Sequence, residues 1–188
     1  MHQLNAPVPF GAGLRRTALA AMLAALAAPS PAQAAVKDAS AGGFEVENRV
    51  VVAASPASAY AMLGRPGEWW APEHTYSHDA RNLSLALRAG GCFCERLPNG
   101  GSVEHLRVVY ADPGRMLRLQ GGLGPLQGEG VAGSLTFTLK AVPQGTEIVM
   151  NYIVGGYLRT SDANLAPILD RVLAGQLERL AARLRQGR

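Results

Sequence analysis

The sequence predicts an α+β domain in which an antiparallel sheet of six or seven strands curves around a long C-terminal helix. Segments that alternate apolar and polar residues begin at Phe44, and turn sequences rich in glycine and proline separate them. One long amphipathic segment, Pro167 to Leu184, follows the last of them. Strands and helices that occupy separate parts of a chain are typical of α+β domains, so we expect the sheet to bury one face against this helix.

The earlier elements follow in order from local signals. A first strand is predicted over Phe44 to Ala54, and Ser55-Pro56 can cap and open a short helix that ends at Leu63. Glu68-Trp69-Trp70 adds a further helical turn, and residues 71–82 form a loop. The later strands are predicted from alternation and turn residues over Leu83–Arg88, Cys92–Leu97, Ser102–Tyr110, Met116–Gln120, Ser134–Ala141 and Thr146–Val154.

The C-terminal helix carries one broad apolar face. Its members recur at helical spacing: Leu165, Ile168, Leu169, Val172, Leu173, Leu177, Leu180 and Leu184. Pro167 suits the first turn, where the missing N–H has no intrahelical partner. Gln176 interrupts the face, and a buried amide must find hydrogen-bond partners. Gln176 therefore bonds a neighbouring strand or a buried water, or it points into a cavity, and Gly175 beside it indicates close approach or a need for space.

Residues 1–34 have the organisation of a cleavable export signal. Arg15 and Arg16 precede the uncharged run Thr17 to Ala28, and Ala32-Gln33-Ala34 is a small-x-small cleavage site. The run of 12 residues is too short for a bilayer, which needs about 20, so no stable membrane span is expected after cleavage. We expect an exported, periplasmic protein in which residues 35–43 are a linker and residues 44–188 form a single domain.

The charge balance and the glycines exclude two classes of partner. Arg15 and Arg16 account for two of the 18 basic residues, against 14 acidic ones, so the rest of the chain carries a charge of +2 without any basic cluster. Nucleic-acid binding is therefore not predicted. The glycine-rich segment 121–133 is predicted to be a mobile connection. It lacks the Gly-Lys-Ser/Thr of a phosphate-binding loop, so no nucleotide cofactor and no ATP hydrolysis are expected.

Four features in this order resemble the START-like or SRPBCC superfamily: Ser55-Pro56 after the first strand, Glu68-Trp69-Trp70, Gly90-Gly91 before the central hairpin, and the closing helix. The resemblance covers Phe44 to Leu184 and is nearest to polyketide cyclase/dehydrase-like proteins and Hsp90-ATPase-activator homologues. It implies a helix-grip fold with a deep, mostly apolar cavity between sheet and helix. Members include lipid binders, cyclases and cochaperones, so the fold does not decide the function. The export signal argues against cytosolic Hsp90 as a partner.

The densest polar cluster lies on the hairpin predicted around Asn99-Gly100, and its register is open. A two-residue turn would set Cys94 opposite His105, whereas a longer loop with a bulge would set Glu95 near His105. A slip of one residue exchanges the two faces, so the two registers predict different chemistry. The bulged register pairs a carboxylate with an imidazole, which together can act as general acid and base.

The regular register would also place Cys92 opposite Arg107 and gather Cys92, Cys94 and His105 on one face. Three such soft ligands suit zinc or copper. Alternatively, His105 could assist Cys94 as a reactive thiol. In an exported protein the two cysteines can alternatively form a disulfide, or remain structural buried thiols.

The leading hypothesis is an exported protein that binds a small hydrophobic molecule or lipid and requires neither a cofactor nor a metal ion. The candidate ligand-binding residues are Trp69, Trp70, Cys94, Arg107 and Gln176. One alternative is an enzyme of the cyclase, dehydrase or hydrolase kind that uses Glu95 and His105 in the cavity. A second alternative is a periplasmic metal or thiol-redox protein that uses Cys92, Cys94 and His105.

Overall fold

An eight-stranded antiparallel sheet and one long helix dominate the computed structural model of the chain, which describes residue 2 and residues 33–40, 42–159 and 162–186. The strands run in the order β1-β2-β8-β7-β6-β5-β4-β3 across the sheet. Their bounds are β1 Gln33–Ser40, β2 Gly43–Val52, β3 Leu83–Leu85, β4 Cys92–Arg96, β5 Ser102–Asp112, β6 Met116–Gln120, β7 Gly130–Val142 and β8 Gly145–Tyr157. The helices are α1 Pro56–Leu63 and α2 Asp162–Gln186. The predicted α+β class is confirmed.

The segment predicted as a linker, residues 35–43, is instead mostly strand. β1 spans Gln33–Ser40 and pairs antiparallel with β2, which adds a strand to the six or seven expected. Residues 35–40 are all exposed, so this edge strand lacks the apolar alternation by which the other strands were predicted. Residues 3–32, which hold most of the predicted export signal, lie outside the described residues, and cleavage after Ala34 stays a prediction.

The predicted start is correct for α1 but not for α2. α1 has the predicted bounds, and its N-cap forms because the Ser55 hydroxyl accepts a hydrogen bond from the Ser58 N–H at 3.1 Å. α2 begins at Asp162, so the placement of Pro167 in the first turn is wrong and the proline lies inside the helix. No helix in the described ranges is long and apolar enough to cross a membrane.

The core lies between one face of the sheet and the C-terminal half of α2. Leu173, Leu177 and Leu180 are almost fully buried there. In contrast, Ile168 in the N-terminal half of α2 is 53% exposed, and Val172 is half-buried. The apolar face of α2 is therefore sealed against the sheet at one end and stays partly open at the other.

Candidate functional site

The hairpin of β4 and β5 turns at the predicted Asn-Gly pair. Asn99 has φ 65° and Gly100 has φ 80°, values that asparagine and glycine tolerate, and they lie in a loop of three residues, Pro98 to Gly100, one longer than a two-residue turn. The Leu97 N–H donates to the Gly101 carbonyl at 2.8 Å across the loop. The turn therefore brings together the two strands that carry the polar cluster.

The register of this hairpin contains a β-bulge. Phe93 lies opposite Leu106, whereas the next residue, Cys94, lies opposite Glu104. His105 is thus an extra residue on β5. The bulge turns both His105 and Leu106 to the buried side of the sheet, while Glu104 is exposed. The structure therefore has the bulged register, and the regular one, with Cys94 opposite His105, is wrong.

The bulge joins Glu95 and His105 as a buried pair. The Nε2 atom of His105 lies 2.8 Å from Glu95 Oε2, and the two residues are 5% and 1% exposed. The carboxylate also accepts hydrogen bonds from the backbone N–H groups of Tyr76 at 3.1 Å and Ser77 at 2.5 Å. Glu95 therefore ties the loop before β3 to the central hairpin as well as binding the imidazole.

The environment of Glu95 determines which ring nitrogen of His105 donates to it. Burial raises the pKa of the Glu95 carboxyl, but hydrogen bonds from Ser77, His105 and Tyr76 outweigh it, so this pKa lies below its usual value. An ionised carboxylate can only accept, so Nε2 of His105 carries the hydrogen. In the neutral ring Nδ1 is then unprotonated, and it forms no hydrogen bond within the described part of the chain. Nδ1 remains as an acceptor for a ligand.

We expect Glu95→Gln to cost stability at neutral pH and much less in acid. Because the native pKa of Glu95 lies below its usual value of 4.5, the unfolded chain takes up the proton first as the pH falls. The stabilisation is complete above that value and is lost as the pH falls through it towards the native pKa. Urea unfolding of the wild type and of Glu95→Gln at a series of pH values should give free energies of unfolding that converge as the pH falls. A difference that stays constant down to about pH 3 would contradict an ionised Glu95.

A cavity of about 430 Å³ lies beside this pair, under the open N-terminal half of α2. Its wall is mostly apolar and includes Trp70, Phe93, Leu123, Leu169 and Val172, with His105 among them. Two aromatic rings contact the imidazole: Tyr76 stacks on it at a centroid distance of 5.8 Å, and Phe93 lies at 5.2 Å in a tilted arrangement. The wall is therefore mostly apolar and carries a few polar side chains, His105 together with Glu73 and His74.

The glycine-rich segment contributes a wall of the cavity through Leu123, Gly124 and Pro125. Burial raises the pKa of Tyr152 to about 12, so its hydroxyl is neutral. This hydroxyl accepts from the Leu123 N–H and donates to the Gly121 carbonyl, each at 3.0 Å. The Tyr76 hydroxyl donates to the Gly124 carbonyl at 3.1 Å. The segment predicted as a mobile connection is thus tied down at several points.

Gln176 does not line the cavity. Its Oε1 accepts from the Ala71 N–H at 2.8 Å, and its Nε2 lies 2.9 Å from His74 Nδ1. The partners lie in the loop before β3, so the prediction of a strand or water partner is wrong. A Cβ at Gly175 would have nothing within 4 Å, so this glycine does not mark close approach. Gln176 instead positions the loop that carries Trp70.

The two tryptophans have different places. Trp70 lies in the cavity wall, and its Nε1–H donates to the His74 carbonyl at 3.1 Å. Trp69 is buried in the core beside α1 and donates to the Met62 carbonyl at 3.0 Å. Among the predicted ligand-binding residues Trp70 therefore contacts the cavity, and Trp69 does not.

Cys94 and Arg107 also lie away from the cavity, on the opposite face of the sheet. Cys94 forms a disulfide with Cys92, and Arg107 forms an exposed ion pair with Glu104. Disulfide sulfurs are not thiolate ligands, and His105 lies on the other face. The set of Cys92, Cys94 and His105 is therefore not assembled, and the metal site built on it is wrong.

The sequence pattern missed the loop donors and the wall formed by the glycine-rich segment. Tyr76 and Ser77 bind Glu95 through backbone N–H groups, which every residue type but proline possesses. No residue type could therefore have identified them. Pro125 and its neighbours come to the cavity through the tertiary hydrogen bonds of Tyr152 and Tyr76.

Comparisons with known proteins identify the fold. No protein-family model matches the chain, and a search of curated proteins finds no significant relative. Among solved structures, protein MLL2253 from Mesorhizobium loti is 18% identical, with a TM-score of 0.56 over 76% of this chain and 97% of that one. CalU16 from Micromonospora echinospora is 15% identical, with a TM-score of 0.54 over 84% of each chain. The Aha1 dimer from Colwellia psychrerythraea is 21% identical, with a TM-score of 0.51 over 74% and 95%.

These neighbours and the long helix packed on an antiparallel sheet define a helix-grip protein. The chain has the helix-grip fold that the sequence resemblance implied. At these identities the likeness shows the fold, and the function has to be argued from the cavity itself.

Proposed function

We propose that the protein is an exported binder of a small, mostly apolar molecule that donates one hydrogen bond to His105. The observation that carries this proposal is the mostly apolar cavity of about 430 Å³ whose wall includes His105, the Nδ1 of which forms no hydrogen bond within the described residues. Ligand pockets in proteins commonly measure about 300–1,000 Å³ and combine apolar walls with a few fixed polar groups. An alcohol or phenol with an apolar body would match both features.

The disulfide supports the exported part of the proposal. Disulfides persist in oxidising compartments and are rare in the cytosol. The Cys92–Cys94 bond is therefore in keeping with the export signal predicted over residues 1–34. We accordingly propose a periplasmic location and expect no role with cytosolic Hsp90.

Native mass spectrometry of the purified protein tests the proposal directly. We expect an added mass that organic extraction removes, and the extracted compound should rebind to the emptied protein. Rebinding should be weakened by His105→Phe, which keeps an aromatic ring but has no acceptor. A protein that carries no compound and binds none from a lipid or phenol panel would contradict the proposal.

Filling the cavity should abolish most binding of an apolar probe. Val172 lies in the wall, so Val172→Trp should lower the affinity for the fluorescent probe 8-anilinonaphthalene-1-sulfonate by about tenfold or more. Glu178→Trp is the matched control, because it adds the same ring to an exposed position of α2. Fluorescence titration measures both variants. Equal affinities in the two variants would show that the probe binds elsewhere.

The Glu95–His105 pair also favours a second candidate, an enzyme of the cyclase, dehydrase or hydrolase kind. A buried carboxylate that fixes the imidazole tautomer leaves Nδ1 free to take a proton from a bound substrate. If so, incubating the protein with its extracted compound should change the mass of that compound. His105→Gln should stop the change while the apolar probe still binds. If the compound is unchanged by both proteins, the enzyme candidate is contradicted and only the binding function is supported.

A further inference from the structure

The Cys92–Cys94 disulfide lies on the outer face of β4, where both residues are partly exposed. A groove of about 680 Å³ runs beside it, between β3, β4 and the segment Gly64–Glu68, and both cysteines contribute to its lining. The bond is therefore within reach of an external thiol. It also lies on the strand that supplies Glu95 to the buried pair.

The disulfide shortens β4 at the position of the bulge. The Cα atoms of Cys92 and Cys94 are 5.3 Å apart, whereas two residues of a regular strand span about 6.6–6.8 Å. The facing part of β5 has no such constraint. The register shift falls between Phe93 and Cys94, inside the disulfide ring, and the residue left over on β5 is His105. The contraction of β4 thus coincides with the feature that turns His105 inward.

We propose that this disulfide is a reversible redox site that holds His105 in the cavity. With the bond intact, the bulge is favoured and His105 pairs with Glu95. With the bond reduced, β4 can extend, and the regular register continues from Phe93 opposite Leu106. Cys94 then faces His105, which turns the imidazole to the outer face of the sheet. Reduction therefore removes the acceptor from the cavity wall.

The reaction partner is a dithiol, either a small molecule or a protein thiol pair. Its thiolate attacks the sulfur of Cys92 or Cys94, which breaks the intramolecular bond, forms a mixed disulfide and releases the other cysteine as a thiolate. The second thiol of the partner then attacks the mixed disulfide and releases the remaining cysteine. The partner leaves as a disulfide, and its two electrons and two protons end on Cys92 and Cys94. Oxidation runs the same steps in reverse.

The test measures the accessibility of His105 in the purified full chain before and after reduction with dithiothreitol. Diethyl pyrocarbonate modifies accessible histidines, and peptide mass mapping locates the label. Because His105 is 5% exposed, we expect its labelling rate to rise about tenfold or more on reduction and to fall again on reoxidation. His78 is exposed in the structure and serves as the internal control, with an unchanged rate.

A second form keeps the test decisive. The double variant Cys92→Ser with Cys94→Ser should label at His105 as fast as the reduced protein, with native circular dichroism. The proposal is overturned if His105 stays protected while mass spectrometry shows both thiols free. It is equally overturned if dithiothreitol leaves the bond intact in the folded protein, or if reduction unfolds the whole chain.

Discussion

Glu95→Ala should lower the free energy of unfolding by about 3 kcal/mol or more. The substitution removes the acceptor of three donors at once: the backbone N–H groups of Tyr76 and Ser77 and the Nε2–H of His105. His105 is buried, so water cannot replace the lost acceptor without opening the hairpin. The loss should therefore exceed that of an ordinary surface hydrogen bond.

Urea unfolding monitored by circular dichroism measures this loss, with Glu104→Ala as the matched control. Glu104 lies on the same hairpin and also pairs with a basic side chain, Arg107, but both partners are exposed. Exposed ion pairs contribute about 0–1 kcal/mol, so the control should remain close to wild type. Equal losses in the two variants would show that the Glu95 cluster contributes no special stability.

Glu95→Ala should also weaken binding in the cavity. The same carboxylate ties the loop that carries Tyr76 to the hairpin that carries His105, and both rings are stacked on each other. Loss of the carboxylate frees the imidazole from its fixed tautomer and loosens the loop. The affinity for the extracted compound should therefore fall together with stability, whereas Glu104→Ala should change neither.

Much of the fold could be predicted because its signals are local. The bounds of α1 follow from the Ser55 cap and the proline after it, and the hairpin of β4 and β5 follows from Asn99-Gly100. β1 was missed because a strand at the edge of a sheet needs only a backbone ladder with its neighbour. Its exposed side chains carry no alternation, so its pairing with β2 has no signal in the chain itself.

The site was harder to predict because it depends on the register in which β4 and β5 pair. Glu95 and His105 were candidates from their residue types, but the bulge that joins them depends on how β4 and β5 pair over their whole length. The partners of Gln176 show the same limit. The helix pattern predicts that this amide is buried, yet its acceptor and donor come from a loop more than 100 residues away in sequence, with separations of 105 and 102.

Two glycines, Gly133 on β7 and Gly175 on α2, differ in whether a side chain would fit at their positions. Gly133 on β7 packs against the segment that forms one wall, because the Gly121 N–H donates to its carbonyl at 3.0 Å. A Cβ at Gly133 would collide with the Gly121 carbonyl oxygen and would lie 2.5 Å from the Tyr152 hydroxyl. Those two groups hydrogen-bond to each other and hold Leu123 at the cavity. The absence of a side chain at Gly133 is therefore required for the packing that holds Leu123 in the cavity wall.

Gly133→Ala should accordingly cost about 3 kcal/mol, because backbone and a buried tyrosine must move to admit one methyl group. Gly175→Ala is the matched control, and it should act in the opposite direction. Its Cβ would meet nothing within 4 Å, and an alanine inside a helix is favoured over glycine by about 0.5–1 kcal/mol. In urea unfolding, the midpoint of Gly133→Ala should therefore fall below that of the wild type, and the midpoint of Gly175→Ala should rise above it. If both variants lose stability equally, the contacts at Gly133 are not what positions Leu123, and the wall must be held by the Tyr76 bond to Gly124 instead.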